Sequence, residues 1–419
     1  MMKSLFFIVV LGLLPGNASA SMDWLTQYQQ SNLHIGQLAL HPFYDLSEVY
    51  DSNIYLVPRD QPNGVTLGGG HRESWITKND LGLETDLPWH RLHDLSMGYG
   101  FESETYTTQP NTNNAYDQSV HADYTYKGAY GLTYKAGEKY VNTTDQAFSE
   151  LTGRDHRWEN AVSSSLDYDP VNGRLAGGID ISQVNDKYLD PVLAQQLNRY
   201  EDLAGFNVGY KVRPKTKVYA SYHRDLIHYS VPQGAGIEKD SRSNNAALGV
   251  IGELSSKLEG QVEVGATDRQ YDVAAAPGQT RVFITPTIAT AVTYKADPYT
   301  IVKLSISRFA EESIDTSNPL YYENIALLEV KHAFPHKFSA GLQGSWEIDQ
   351  YPFNQVIDSS GAIGRRRDDT YQVGAWVTYV IQKWLSTGLS FSHRERDSTM
   401  SGQFDFEDNQ ATWHVTLKF

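Results

Sequence analysis

The chain has 419 residues, no cysteine and a formal net charge of −15, with 27 tyrosines and 33 glycines. The acidic balance argues against nucleic acid as a partner, because phosphate binding needs clustered Lys and Arg, and the lack of cysteine removes disulfides and thiolate metal sites. Abundant tyrosine beside only 20% charged residues suits a wall that is apolar outside, polar inside and ringed by aromatics.

The first expected element is a targeting segment over residues 1–20. Lys3 gives a positive start, Leu5 to Leu14 an apolar run too short to span a bilayer as a helix, and Ala18-Ser19-Ala20 a small-residue cleavage site. Ser21 is then the mature N-terminus, and no cysteine follows it to carry a lipid. Residues 21–37, with Trp24, Leu25, Tyr28, Leu33 and Ile35, read as a periplasmic segment, a tether or a plug folded into the lumen. The rest, 38–419, contains no apolar run near eighteen residues, so no transmembrane helix is available there.

Along 38–419 an alternating strand, a tight turn and a second strand recur about every forty residues. Short turns are expected at Leu87 to Arg91, Lys127 to Ala129, Asp169 to Gly173, Lys211 to Thr216, Gly252 to Ser256, Lys295 to Tyr299, Ala333 to Lys337 and Val380 to Trp384. The turn chemistry is explicit in Asp169-Pro170-Val171-Asn172-Gly173 and in Asp297-Pro298. Longer polar stretches lie between them: Val57 to Gly69, Thr107 to Asn114, Val141 to Gly153 and Asn354 to Arg367, none much over a dozen residues. Eight short turns give eighteen strands, sixteen or twenty if one hairpin is misread. The expected fold is therefore all-β, a transmembrane antiparallel up-and-down barrel with both termini periplasmic. A propeller also repeats near forty residues, but with four strands per blade, and these strands are too long for that.

Parity assigns the faces. Leu258, Val262 and Val264 oppose Glu259, Gln261 and Glu263; Val302, Leu304 and Ile306 oppose Lys303, Ser305 and Ser307. Leu342, Trp346 and Ile348 oppose Gln343, Ser345, Glu347 and Asp349. A charge at the lipid midplane costs about 2–4 kcal/mol, so Glu259, Gln261, Glu263, Lys303, Gln343, Ser345, Glu347 and Asp349 are expected to line the pore. The chain ends on Trp413, Val415, Leu417 and Phe419 alternating with polar residues, similar to the C-terminal strand that barrel-assembly machinery recognises.

Two further groups stand out. Arg365, Arg366 and Arg367, followed by Asp368 and Asp369, fall where a long loop is expected to enter a strand at the extracellular mouth, with Arg394 and Arg396 at a similar height. They read either as a patch for anionic surface sugars or, preferred here, as partners of neighbouring acids and lipopolysaccharide phosphates. Tyr99, Tyr134, Tyr168, Tyr210, Tyr294 and Tyr379 sit near strand ends beside short turns, which fits an interfacial girdle better than a sugar slide. No nucleophile, base and orienter converge in the pattern, and the 13 histidines show no metal-ligand spacing, so no catalytic, cofactor or metal site is expected.

The stretch Pro42-Phe43-Tyr44-Asp45-Leu46-Ser47-Glu48-Val49-Tyr50-Asp51-Ser52-Asn53-Ile54-Tyr55 resembles the opening of the putative β-barrel porin 2 family, through Asp51, Ser52, Asn53, Ile54 and Tyr55 at the end of the first strand. The resemblance implies a pore-like outer-membrane barrel associated with exopolysaccharide production, with no catalytic residues to carry over and a structural role for Asp51 and Asn53. Export of exopolysaccharide, with periplasmic export components as partners, is the leading expectation. A general or sugar-selective diffusion porin is the alternative, and a non-conducting scaffold docking a periplasmic partner through residues 22–37 a further one.

Overall fold

The computed structural model describes residues 33–58, 71–145, 150, 155–230, 239–274, 278–315, 317–358 and 360–419. The expected targeting segment, and residues 21–32 after it, lie outside the described residues. Strands follow one another with little else: β1 (Leu33–Ile35), β2 (Leu38–Asp51), β3 (Ser74–Trp89), β4 (His93–Tyr106), β5 (Ala115–Lys127) and β6 (Leu132–Thr143). Next come β7 (Arg157–Tyr168), β8 (Leu175–Tyr188), β9 (Arg199–Arg213), β10 (Thr216–Tyr229), β11 (Ser241–Glu253) and β12 (Leu258–Tyr271). The last are β13 (Val282–Lys295), β14 (Thr300–Glu312), β15 (Leu320–Ala333), β16 (Phe338–Val356), β17 (Ile363–Gln382), β18 (Leu385–Ser398) and β19 (Phe406–Lys418).

Each strand from β2 to β19 pairs antiparallel with its sequence neighbours, and β19 returns to β2 from Gln410↔Asp51 to Lys418↔Phe43, closing an eighteen-strand barrel. Every one of these strands has at least 12 residues, more than the roughly 9–11 that a tilted strand needs to cross a bilayer. Among the described residues no helix is long and apolar enough to cross a membrane. The short β1 pairs with the start of β2 as Leu33↔Leu40 to Ile35↔Leu38, so this part of the expected N-terminal segment prolongs the wall.

All eight short connections fall where the turn residues place them. In the β13–β14 turn, Asp297 Oδ1 accepts the backbone N–H groups of Tyr299 at 2.7 Å and Thr300 at 2.9 Å, the local bonding that makes Asp a turn former. The start of β2 and the end of β19 share this short-turn rim. The expected girdle tyrosines, Tyr99, Tyr134, Tyr168, Tyr210, Tyr294 and Tyr379, are all exposed on the outer surface, and Trp384 stacks on Phe419 with ring centroids 5.6 Å apart.

The opposite, long-loop rim departs from expectation in two places. The first connection is longer, 52–73, and the expected loop Asn354 to Arg367 is mostly strand, because β16 and β17 run on to Val356 and from Ile363. Alternation explains the second. Arg366 and Asp368 take the inner face while Arg365, Arg367 and Asp369 take the other, a period of two that continues the ladder.

The stretch after β2 fastens the closure. Asn53 is fully buried; its side chain donates to the carbonyls of Val57 (2.9 Å) and Glu407 (3.0 Å), and its Oδ1 accepts from the Val57 N–H. Asp51 accepts from the Asn53 N–H at 2.8 Å and from Gln410 at 2.9 Å, and Ser52 Oγ accepts the Asn409 N–H at 2.7 Å. First and last strands are thus stitched by side chains just above their final ladder pair. Asn53→Ala removes the three bonds of the Asn53 side chain and strands the buried Val57 carbonyl, an expected loss of about 1–3 kcal/mol. Urea unfolding of the barrel in vesicles should show it, with Gln118→Ala on the long-loop half of β5 as a near-neutral control.

Candidate functional site

Closure of the sheet encloses a lumen, and its wall chemistry follows from strand parity. Leu304 and Ile306 are exposed outward while Ser305 and Ser307 are buried on the inner face; Leu342 is 62% exposed while its neighbours Gly341 and Gln343 turn inward. Glu259, Gln261, Glu263, Lys303, Gln343, Ser345, Glu347 and Asp349 all fall on that inner parity. They do not act singly. Tyr219 donates to Glu263 at 2.6 Å and accepts from Gln261 at 2.5 Å, and Glu259 pairs with Lys295 at 2.6 Å. The Tyr219 ring lies flat along the wall because residue 249 is glycine; a Cβ there would overlap the ring. Asn245 donates to Thr267 at 2.8 Å, adding to a lining of amides and hydroxyls.

Glu347 and Asp349 meet Glu323 of β15, with carboxylate oxygens within 4.8 Å of one another, an all-oxygen set of the kind a hard cation takes. Sequence spacing does not reveal it, since the three come from two strands joined only by register.

At the long-loop rim Glu150 and Lys239 meet at Ser313 and Ile314, beyond the end of β14. Glu150, from the connection between β6 and β7, accepts from Tyr351 of β16 at 2.5 Å, from the Ile314 N–H at 2.7 Å and from Ser313 at 3.0 Å. Arg366 of β17 reaches the same carboxylate at 3.4 Å. In an eighteen-strand ring β6 and β7 lie nearly opposite β16 and β17, so Glu150 binds on the side of the mouth away from the strands it follows and precedes. Lys239, from the connection between β10 and β11, donates to the Ser313 carbonyl at 2.6 Å. Burial pushes the Glu150 carboxyl up from its ordinary range, opposed chiefly by Arg366, and burial pulls the Lys239 ammonium down.

A second cluster lies beside it. Glu312 accepts from Arg269 at 2.7 Å, Tyr271 at 2.8 Å and Tyr229 at 3.2 Å, while Arg199 joins Tyr229 at 3.3 Å and Asp186 at 3.2 Å.

The five arginines expected as one mouth cluster are divided. Arg366 is buried, clamped on Asp368 at 2.5 and 3.0 Å, and sandwiched between the rings of Tyr351 (4.5 Å) and Phe404 (3.5 Å). Arg367 faces outward, paired with Asp369 at 2.7 Å, and Arg365 is exposed on the same side. Arg394 and Arg396 face inward over the Phe406 ring at 5.2 and 5.0 Å, with Arg396 donating to Thr370 at 3.1 Å. Consecutive strand residues point to opposite faces, so a run of three cannot form one patch.

Sequence reasoning missed Glu150, Lys239, Arg269, Tyr271 and Glu312. For Glu150 and Lys239, a single charge in a polar connection carries no signal that it will fold inward; Arg269 and Tyr271 end β12 and Glu312 ends β14, where only tertiary contacts bring them together.

The family model described as putative beta-barrel porin 2 matches residues 28–419. No curated protein matches the chain. Among solved structures, the chain is similar to a variant of the ferric enterobactin receptor PfeA of Pseudomonas aeruginosa in complex with enterobactin (10% identity, 91% of this chain and 81% of that one, TM-score 0.49). It is also similar to the outer membrane protein OpdK of the same organism (11% identity, 91% and 99%, TM-score 0.47). The siderophore receptor PirA of Acinetobacter baumannii matches at 8% identity over 90% and 80% of the chains, with a TM-score of 0.42.

Proposed function

The chain belongs to the putative beta-barrel porin 2 family, and from that premise we propose that it is an outer-membrane channel for hydroxyl-rich solutes, with extracellular polysaccharide as the exported cargo. The observation that carries this reading is the polar lining of the inner face, where the amides and hydroxyls of Asn245, Gln261, Thr267, Ser305, Ser307 and Gln343 stand among the charged Glu259, Glu263 and Lys303. Amides and hydroxyls exchange hydrogen bonds with sugar hydroxyls at nearly equal cost, so a sugar passes without being held. The short-turn rim then faces the periplasm, where export components would meet it, and the outer surface meets lipid and lipopolysaccharide. Phe419 closes the strand offered to the assembly machinery.

A second reading, uptake of small sugars by diffusion, is favoured by one feature: Glu150 is held at the mouth by Tyr351 and Arg366, on the side away from β6 and β7, which favours small solutes over a polymer. Deleting the gene separates the two. Polymer trapped in the periplasm is the result expected of an exporter. Normal surface polymer, together with maltodextrin block of the purified channel in planar bilayers, would overturn export in favour of uptake.

A further inference from the structure

The wall is not hydrogen-bonded along its whole height. Between β13 and β14 the ladder stops at Ile288↔Arg308, whereas β12–β13 continues to Gln270↔Val282 and β14–β15 to Glu312↔Leu320. Residues 282–287 and 309–312 therefore face each other with no shared ladder. Pro286 stands in this stretch and has no N–H to offer, as suits an unpaired edge.

Side-chain contacts show where the free end of β14 goes. Counting by parity from Leu304, Ile306 and Leu328, which are exposed to the outside, Ala310, Glu312, Leu320 and Tyr322 belong to the outer face of β14 and β15. Yet Glu312 bonds to Arg269 and Tyr271, and Leu320 packs with Tyr271 and Phe283, all inner-face residues of β12 and β13. Tyr271 also donates to the Pro319 carbonyl at 3.2 Å, and Phe283 meets Phe353 edge-on at 5.8 Å. The wall overlaps itself: the tip of the β14–β15 hairpin is tucked inside the edge of β13. The tip so placed is what Glu150 and Lys239 contact at Ser313 and Ile314.

We propose that this tip is a flap with two positions, and that its outward swing completes the β13–β14 ladder and widens the mouth. Continuing the register would pair Pro286 with Ala310 and Ile284 with Glu312. The outward position gains backbone bonds at the edge of β13. The inward one keeps the Glu312 clasp and the aromatic cluster. Each position satisfies one set of groups at the expense of the other, which is the condition for a two-state element. As a gate the flap rests on the channel reading above, but its movement can be tested without any transport assay.

The chain has no cysteine, so an engineered pair is unambiguous. In the inward position residue 286 is exposed on the outer face of β13, while Ala310 packs against the cluster behind it, and the two cannot be bridged. In the outward position they sit directly opposite. The experiment is oxidation of the Pro286→Cys, Ala310→Cys protein in lipid vesicles, with disulfide formation read on a gel. Cross-linking should be slow with the clasp intact, and at least about tenfold faster when Glu312→Gln or, independently, Tyr271→Phe is added, because the inward state then loses a charge-assisted hydrogen bond. Cross-linking that is equally fast with the clasp intact would overturn the inward assignment. Two folded clasp variants that both fail to cross-link would overturn the swing. Neither result depends on whether a sugar passes.

Discussion

Replacing Arg366 with alanine is expected to release Glu150 from the mouth and raise single-channel conductance, at a stability cost of about 3–5 kcal/mol. Arg366 is 2% exposed and is the cation that both Glu150 and Asp368 meet, so its loss leaves two buried carboxylates uncompensated. The groups around Glu150 are Arg366 and Asp368 from β17, Tyr351 from β16, Ser313 and Ile314 from the β14–β15 connection, and Lys239 beyond Ser313. Burial raises the Glu150 carboxyl, so the stability of its docked state is fully present below the unfolded value and is lost as pH rises through the docked one. In the alanine variant, where the compensating charge is gone, docking should therefore return in acid. Conductance in planar bilayers should be high at neutral pH and fall as the solution is acidified. Arg366→Lys keeps the charge without the forked geometry and should lie between variant and parent. An alanine variant with parental conductance at every pH would mean that Glu150 does not narrow the path.

The second large effect concerns adjacent residues with opposite surroundings. Leu342→Arg places a guanidinium on the lipid face and should destabilise the barrel by about 2–4 kcal/mol. Gln343→Arg, one position on, enters a wet interior and should cost far less. Leu342 is 62% exposed to the outside, whereas Gln343 lies over Gly374 on the inner face. Urea unfolding in vesicles of the two variants measures the difference directly. Equal losses would contradict the assignment of faces along β16.

The barrel was legible in the sequence because its constraints are local and repeated. Asp297-Pro298 and the Asp169 to Gly173 run carry their turn chemistry openly, and alternation in β12, β14 and β16 is enforced by the cost of a charge in hydrocarbon. The long-loop rim was not legible, for a reason that parity itself supplies. Alternation assigns Glu312 to the outside, and only the break in the β13–β14 ladder lets it tuck behind Tyr271. The arginine run failed differently. Read as loop, Arg365 to Arg367 made one patch, but Arg366, Asp368 and Thr370 alternate with Arg367, Asp369 and Tyr371, a strand pattern visible in the sequence and overlooked for its charge. Asn53 was expected to be structural from the family resemblance, but its partner Glu407 lies 354 residues away and could come only from the closed ring.

A spin-label scan of β14 from Val302 to Ser307 in lipid vesicles would decide the matter for the fold and for every transport reading built on it. Labels at 302, 304 and 306 should relax with dissolved oxygen, and labels at 303, 305 and 307 with a water-soluble nickel chelate, in strict alternation and opposite phase. Accessibilities that rise and fall together along the strand would show a segment with the same surroundings on both sides, and no channel wall.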